Sequence, residues 1–186
     1  LRLVPKHWGD LPASQKPAIR EQLISTTLEE ETILVRHSQA RVVSAVAGID
    51  LELGAWTELP GLLAKASASQ QVKHREVGVY ILFTLLEDTG DGFINKFSNL
   101  FSLFSKTIND PESLEVRVNT MLALSRMAML IDPDGDPISL KSFEEIFPAM
   151  VSVLKKAVED NDEDRTMQAF EVFQTLLSCD SVLIAK

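Results

Sequence analysis

Along this 186-residue chain, apolar positions recur at three- and four-residue steps, the spacing of one helix face. Short polar breaks separate the runs. The pattern predicts helices over Ala13–Glu30, Leu34–Ile49, Ala55–Ala68, His74–Glu87, Phe93–Ile108, Leu114–Leu130, Leu140–Val158 and Arg165–Leu177. The breaks "GDLP", "GIDLELG", "TGDG", "NDPES", "DPDGDP" and "EDNDED" carry the Gly, Pro, Asp and Asn that end helices. No segment alternates with period two between turn signals, so the expected fold class is all-α.

The blocks pair. Each second block opens near a basic residue and then turns strongly apolar, marked by Arg36, Arg75, Arg117 and Arg165. Successive arginines are 39, 42 and 48 residues apart, the length of a HEAT or armadillo unit, and two helices per unit favours HEAT. The expected architecture is an α-α superhelix of about four helix pairs, preceded by the tail of an earlier helix. Its units are approximately 10–50, 51–90, 91–133 and 138–180 of one continuous array over 1–186. Pro60 and Pro148 fall in first helices, where each is expected to kink its helix. Both ends, "LRLV" and "SVLIAK", lie in apolar text, which predicts a fragment of a longer chain with uncapped ends prone to self-association.

With 45% hydrophobic residues the chain can bury a real core, and 8 glycines with 8 prolines are too few for a turn-rich β-sandwich. A net charge of −9 disfavours nucleic acid and suits a basic protein partner. A single cysteine, Cys179, precludes an internal disulfide and reads as a buried thiol near a helix end. No run is long enough to span a membrane.

The opening "KHWGDLPASQKPAIREQLISTTLEEETILVRHSQARVVSAVAGIDL", followed by "WTELPGLLAKAS…HREVGVYILFTLLE" and "LFSLFSKTINDPESLEVRVNTMLALSRMA", resembles the importin-β (karyopherin-β) superfamily of nuclear transport receptors. The likeness is nearest the type carrying histones and ribosomal proteins. A lysine-rich helix ending at Trp8 matches the family's entry segment. The resemblance implies binding of Ran-GTP by the second helices of N-terminal repeats and basic cargo on the inner face. It also implies possible contact with nucleoporins, a location in cytoplasm and nucleus, no cofactor and no direct contact with nucleic acid or membrane. The alternative is a scaffold HEAT array, such as a phosphatase or kinase regulatory subunit, with no GTPase partner; it has no need for "KHW".

HEAT units place an aspartate in the turn before the arginine. Asp110 and Asp162 or Asp164 fill that role, but the turns before Arg36 and Arg75 hold none, so the ladder is expected to be incomplete in the first half. The four arginines are read as rungs between units, since a guanidinium has five donors in a rigid fork. On helical wheels, Ala40, Val43, Ala47, Val79, Leu82, Leu86, Met121, Leu124, Ala128, Ala169, Val172 and Leu176 turn to the core. The outward set, expected to meet partners, is His37, Arg41 and Ser44; Glu76, Tyr80 and Glu87; Asn119, Leu122 and Arg126; and Thr166, Phe170 and Gln174.

The acidic loops are read as capped, solvated turns. The glycine of "DPDGDP" comes too early for a calcium loop. His7, His37 and His74 show no metal-ligand spacing, and no nucleophile or phosphate-binding motif is present, so neither a metal site nor an enzyme is expected.

Overall fold

The computed structural model describes residues 3–132 and 134–178, with backbone alone for 3–5 and 91. Cys179 and "SVLIAK" lie outside them. The described chain is helical throughout, with α1 Leu3–Trp8, α2 Lys16–Glu29, α3 Ile33–Glu52, α4 Leu59–Ser67, α5 Val72–Thr89, α6 Phe97–Thr107, α7 Leu114–Ala128, α8 Pro137–Glu159 and α9 Glu163–Ser178. All eight predicted blocks are present as α2 to α9. Several are shorter than expected: α4 begins at Leu59 rather than Ala55, and Gly90–Lys96, overlapping the head of the fifth block, is a 3-10 segment, so α6 begins at Phe97.

Local chemistry sets the boundaries. Ser113 caps α7, its hydroxyl accepting from Val116 N at 3.2 Å. Asp136 caps α8 through Ser139 N at 3.0 Å, with Pro137 in the first turn, where its missing N–H costs nothing. Gly54 follows α3 in the left-handed region at φ 63°, and Asn161 does the same after α8 at φ 53°. The two prolines behave differently. Pro148 lies inside α8, as expected. Pro60 sits at the first turn of α4, so it starts that helix rather than kinking it.

The helices form two layers. α2 packs on α3, α4 on α5, α6 on α7 and α8 on α9. The second helices α3, α5, α7 and α9 stack in sequence, and α4, α6 and α8 make the other layer. α5 is buried continuously from Arg75 to Leu86, because it has α3 on one side, α7 on the other and α4 behind. All twelve wheel-predicted core residues are buried. Each large apolar side chain so removed from water contributes about 1.5–3 kcal/mol.

α1 packs against α3, with Trp8 only 3% exposed. Trp8 Nε1 donates to Asp50 at 2.9 Å, and Arg20 Nε donates to the other Asp50 oxygen at 2.8 Å. Arg20 also reaches the Ala55 carbonyl at 2.7 Å. This node ties the entry segment, α2 and α3 together.

Candidate functional site: the face of the second helices

The stack of second helices is held by a row of polar bonds between residues about forty apart. Arg36 Nε of α3 donates to Glu76 of α5 at 2.9 Å, with both side chains buried. His37 Nε2 donates to the second Glu76 oxygen at 2.5 Å. The His37 ring stacks on Tyr80, with centroids 3.8 Å apart and planes within 4°. Arg41 Nε donates to the Tyr80 hydroxyl at 2.9 Å, and the Ser44 and Thr84 hydroxyls share a bond of 2.5 Å. From α7, Asn119 Nδ2 donates to Glu76 at 2.9 Å.

The wheels therefore need correcting at four positions. Ser44, Glu76, Tyr80 and Asn119 were expected to project outward, yet they are 1%, 2%, 7% and 1% exposed. A wheel treats one helix alone, whereas here the outward edge of each second helix meets the next one in the stack. Bonds across that seam satisfy the polar atoms that burial would otherwise leave unpaired.

The arginines also depart from expectation. Arg36 and Arg75 are rungs. Arg75 binds Asp110 at 2.6 Å and 3.2 Å and Glu112 at 2.7 Å, and it also reaches the Ser69 and Gln70 carbonyls. Arg165 pairs with Glu115 of α7 and with Asp162 at 3.2 Å. Arg117 is not a rung. Among the described residues its one bond is a long 3.4 Å contact to the Ser113 carbonyl of its own helix. By repeat position Asp162 corresponds to the Asp110 that receives Arg75, and it is held by Arg165 instead.

Nor is the ladder incomplete in the first half. Glu76, beside Arg75 on the helix itself, serves Arg36, and Asp50 serves Arg20. The sequence does carry a signal for these pairs: Arg36/Glu76, Arg41/Tyr80 and Ser44/Thr84 all repeat at an offset of 39 or 40 residues.

Burial pushes the Glu76 carboxyl up, but the bonds and charges of His37 and Arg36 outweigh it and hold the group below its ordinary range. Asp110 shows the same balance. Burial raises it, while Arg75 and the backbone N–H groups of Glu112 and Ser113 bring it down.

His37, Glu76 and Glu115 bring ligand-type atoms within 4.8 Å of one another. The arrangement suits cations already in place rather than a metal. Both Glu76 oxygens accept from Arg36, His37 and Asn119, and Glu115 holds Arg165. Two guanidinium groups beside the cluster would repel a divalent ion.

What remains open is a narrower set. Arg41, Glu87 and Gln174 are exposed, while His37, Leu122, Arg126 and Thr166 are half-buried. Glu87 and Arg126 pair at 2.6 Å. Phe170 is 54% exposed, and two methionines outside the predicted set, Met129 and Met167, are 43% and 58% exposed. Thr166, Phe170 and Gln174 make no side-chain bond to the α3–α5–α7 cluster among the described residues.

A family model described as "IPO5-like, TPR repeats" matches residues 31–185. The arginine spacing exceeds the 34 residues of a tetratricopeptide unit and fits HEAT length. The probable importin subunit beta-4 of Schizosaccharomyces pombe is 35% identical over 187 residues, covering 100% of this chain and 17% of the relative. The probable importin-5 homolog of Dictyostelium discoideum is 24% identical, covering 89% of this chain and 16% of its own length. Mouse importin-4 is 22% identical, covering 98% and 16%. The chain thus spans about one sixth of the length of these relatives. With most of its length matched by the family model and its helix pairs stacked as HEAT units, the chain belongs to the importin-β superfamily of nuclear transport receptors and is not an enzyme.

Proposed function

We propose that this chain is one continuous HEAT array, 1–186, within an import receptor that moves between cytoplasm and nucleus. It binds Ran-GTP and basic cargo through the open part of its second-helix face. The observation that carries the reading is Phe170, more than half exposed beside Met167 on the second helix of an importin-family unit. Exposed aromatic and Met side chains rimmed by polar residues mark protein interfaces. Half-buried Leu122 and the Glu87–Arg126 pair continue that face.

The four buried residues, Ser44, Glu76, Tyr80 and Asn119, drop out of the contact set and act as seams. The net charge of −9 suits basic cargo such as histones and ribosomal proteins. Ran-GTP and cargo would be linked reciprocally, each weakening the other's binding by the same factor. Nucleoporins are assigned to a cleft of about 220 Å³ between α2, α4 and α5, lined by Ile24, Leu28, Leu62 and Ile81. The buried Trp8 gives the entry segment a structural purpose consistent with this assignment.

A pull-down with GTP-locked and GDP-bound Ran, run on this chain and on a longer one containing it, tests the proposal. Retention of the GTP form alone is expected. Equal or absent binding of both forms by both chains supports the scaffold alternative.

A further inference from the structure

We propose that the cleft between α2, α4 and α5 binds a small carboxylic acid whose apolar body is about the size of a phenyl ring. The inference stands apart from the Ran and cargo reading. It concerns the cleft assigned above to nucleoporins, and the test below separates an acid from an uncharged occupant.

The walls supply the apolar part. Ile24 and Leu28 come from α2, Leu62 and Leu63 from α4, and Ile81 from α5. They enclose a space of about 220 Å³. An apolar cavity of about 150 Å³ already takes benzene, so this one has room for a ring and a short polar arm.

Charge selects an anion. Lys65 and His74 line the cleft, and none of its lining residues is acidic, although the chain carries a net charge of −9. Three other clefts of the array each include a carboxylate, for example Glu145, Glu87 and Glu58. Lys65 is exposed and forms no ion pair among the described residues. His74 stands in the first turn of α5, which holds no acidic residue, so the partial positive charge of that helix end adds to the side chains.

One hydrogen-bond donor lacks an acceptor. The Ser69 hydroxyl oxygen accepts from Gln71 N at 3.1 Å, which leaves its hydrogen for His74 Nδ1 at 3.4 Å. With Nδ1 accepting, the neutral imidazole carries its proton on Nε2. That Nε2 is buried and has no partner among the described residues. Buried polar atoms are normally paired. A carboxylate oxygen in the cleft supplies the acceptor after a small turn of the ring, and the second oxygen is left for Lys65. An amide would answer the donor but not the lysine, and a bare anion would leave the apolar walls uncovered. An acid with an apolar body answers all three features.

The test is calorimetric titration of this chain with 3-phenylpropanoate and with neutral 3-phenylpropanamide. The acid is expected to bind about tenfold more tightly than the amide. Lys65→Gln, at an exposed position, keeps the fold and most of the stem, and is expected to weaken the acid about fivefold. His74→Phe keeps a ring in place and removes the donor, and is expected to weaken the acid about tenfold. A control of equal charge change on the exposed side of α6, Lys106→Gln, is expected to stay within about twofold.

Circular dichroism checks the fold of each variant, and Lys65→Gln alone decides the matter if His74→Phe does not fold. No binding of the acid by the wild type, unchanged binding by a folded cleft variant, or equal weakening by Lys65→Gln and Lys106→Gln overturns the proposal. Amide binding as tight as the acid's overturns it too, and gives the cleft to an uncharged apolar group such as a partner's side chain.

Discussion

Arg36 and Glu76 meet at 2.9 Å across the seam between α3 and α5, forty residues apart and both nearly inaccessible to water. Glu76 also holds His37 and Asn119, so one carboxylate ties three second helices. Removing it leaves Arg36 buried without its counter-ion. Glu76→Ala is therefore expected to cost about 3–5 kcal/mol. Chemical denaturation followed by circular dichroism checks this; a loss below about 1 kcal/mol would place the seam's strength elsewhere.

Arg117 gives the opposite expectation. Its single long bond to a carbonyl of its own helix contributes little, so Arg117→Ala should change stability by no more than about 0.5 kcal/mol. Arg75→Ala, which strips Asp110 of a buried partner, should cost several-fold more. Melting the two variants side by side separates rung from bystander, and equal losses would restore Arg117 to the ladder.

These two positions show what the sequence makes legible. Helix number, pairing and core faces follow from periodicity, because burial of an apolar stripe is a property of each helix by itself. The seams do not follow, because they depend on the rotation of each helix against the next. Tyr80 reads as an outward aromatic on its own wheel; only beside His37 and Arg41 does it become a bonded one. Arg117 occupies the same repeat position as Arg75, yet Arg165 takes Asp162 first. Spacing predicts the position of a rung, while local competition decides whether it forms.

Acid should loosen the array in a defined window. The Glu76 and Asp110 carboxyls are held below their ordinary values of 4.5 and 3.8 in the folded chain. The unfolded chain then binds more protons as pH falls through those values, so the stabilisation is present above them and is lost below. Unfolding free energy measured from about pH 7 to about pH 3 should fall steeply in the lower part of the range. Glu76→Gln should flatten that fall. An unchanged slope in the variant would remove Glu76 from the account.

Gly78 sits where α4 packs tightly against α5. A Cβ there would lie 2.8 Å from Ser67 Oγ and 2.9 Å from the Ser67 backbone N. The backbone atom cannot swing aside, so Gly78→Ala should force the pair apart at about 1–3 kcal/mol despite alanine's better helix propensity. A melting temperature equal to or above the wild type's would show that the helices separate freely.

The central claim is that the open part of the second-helix face, and not the seam, meets the partner. Its most direct test is the affinity of GTP-loaded Ran for the wild type, Phe170→Ala and Leu122→Ala, measured on this chain and on a longer one containing it. The account predicts binding that requires GTP and that each substitution weakens about five- to tenfold, roughly the loss of one interface anchor. Binding that ignores the nucleotide, or that neither substitution changes, would contradict it.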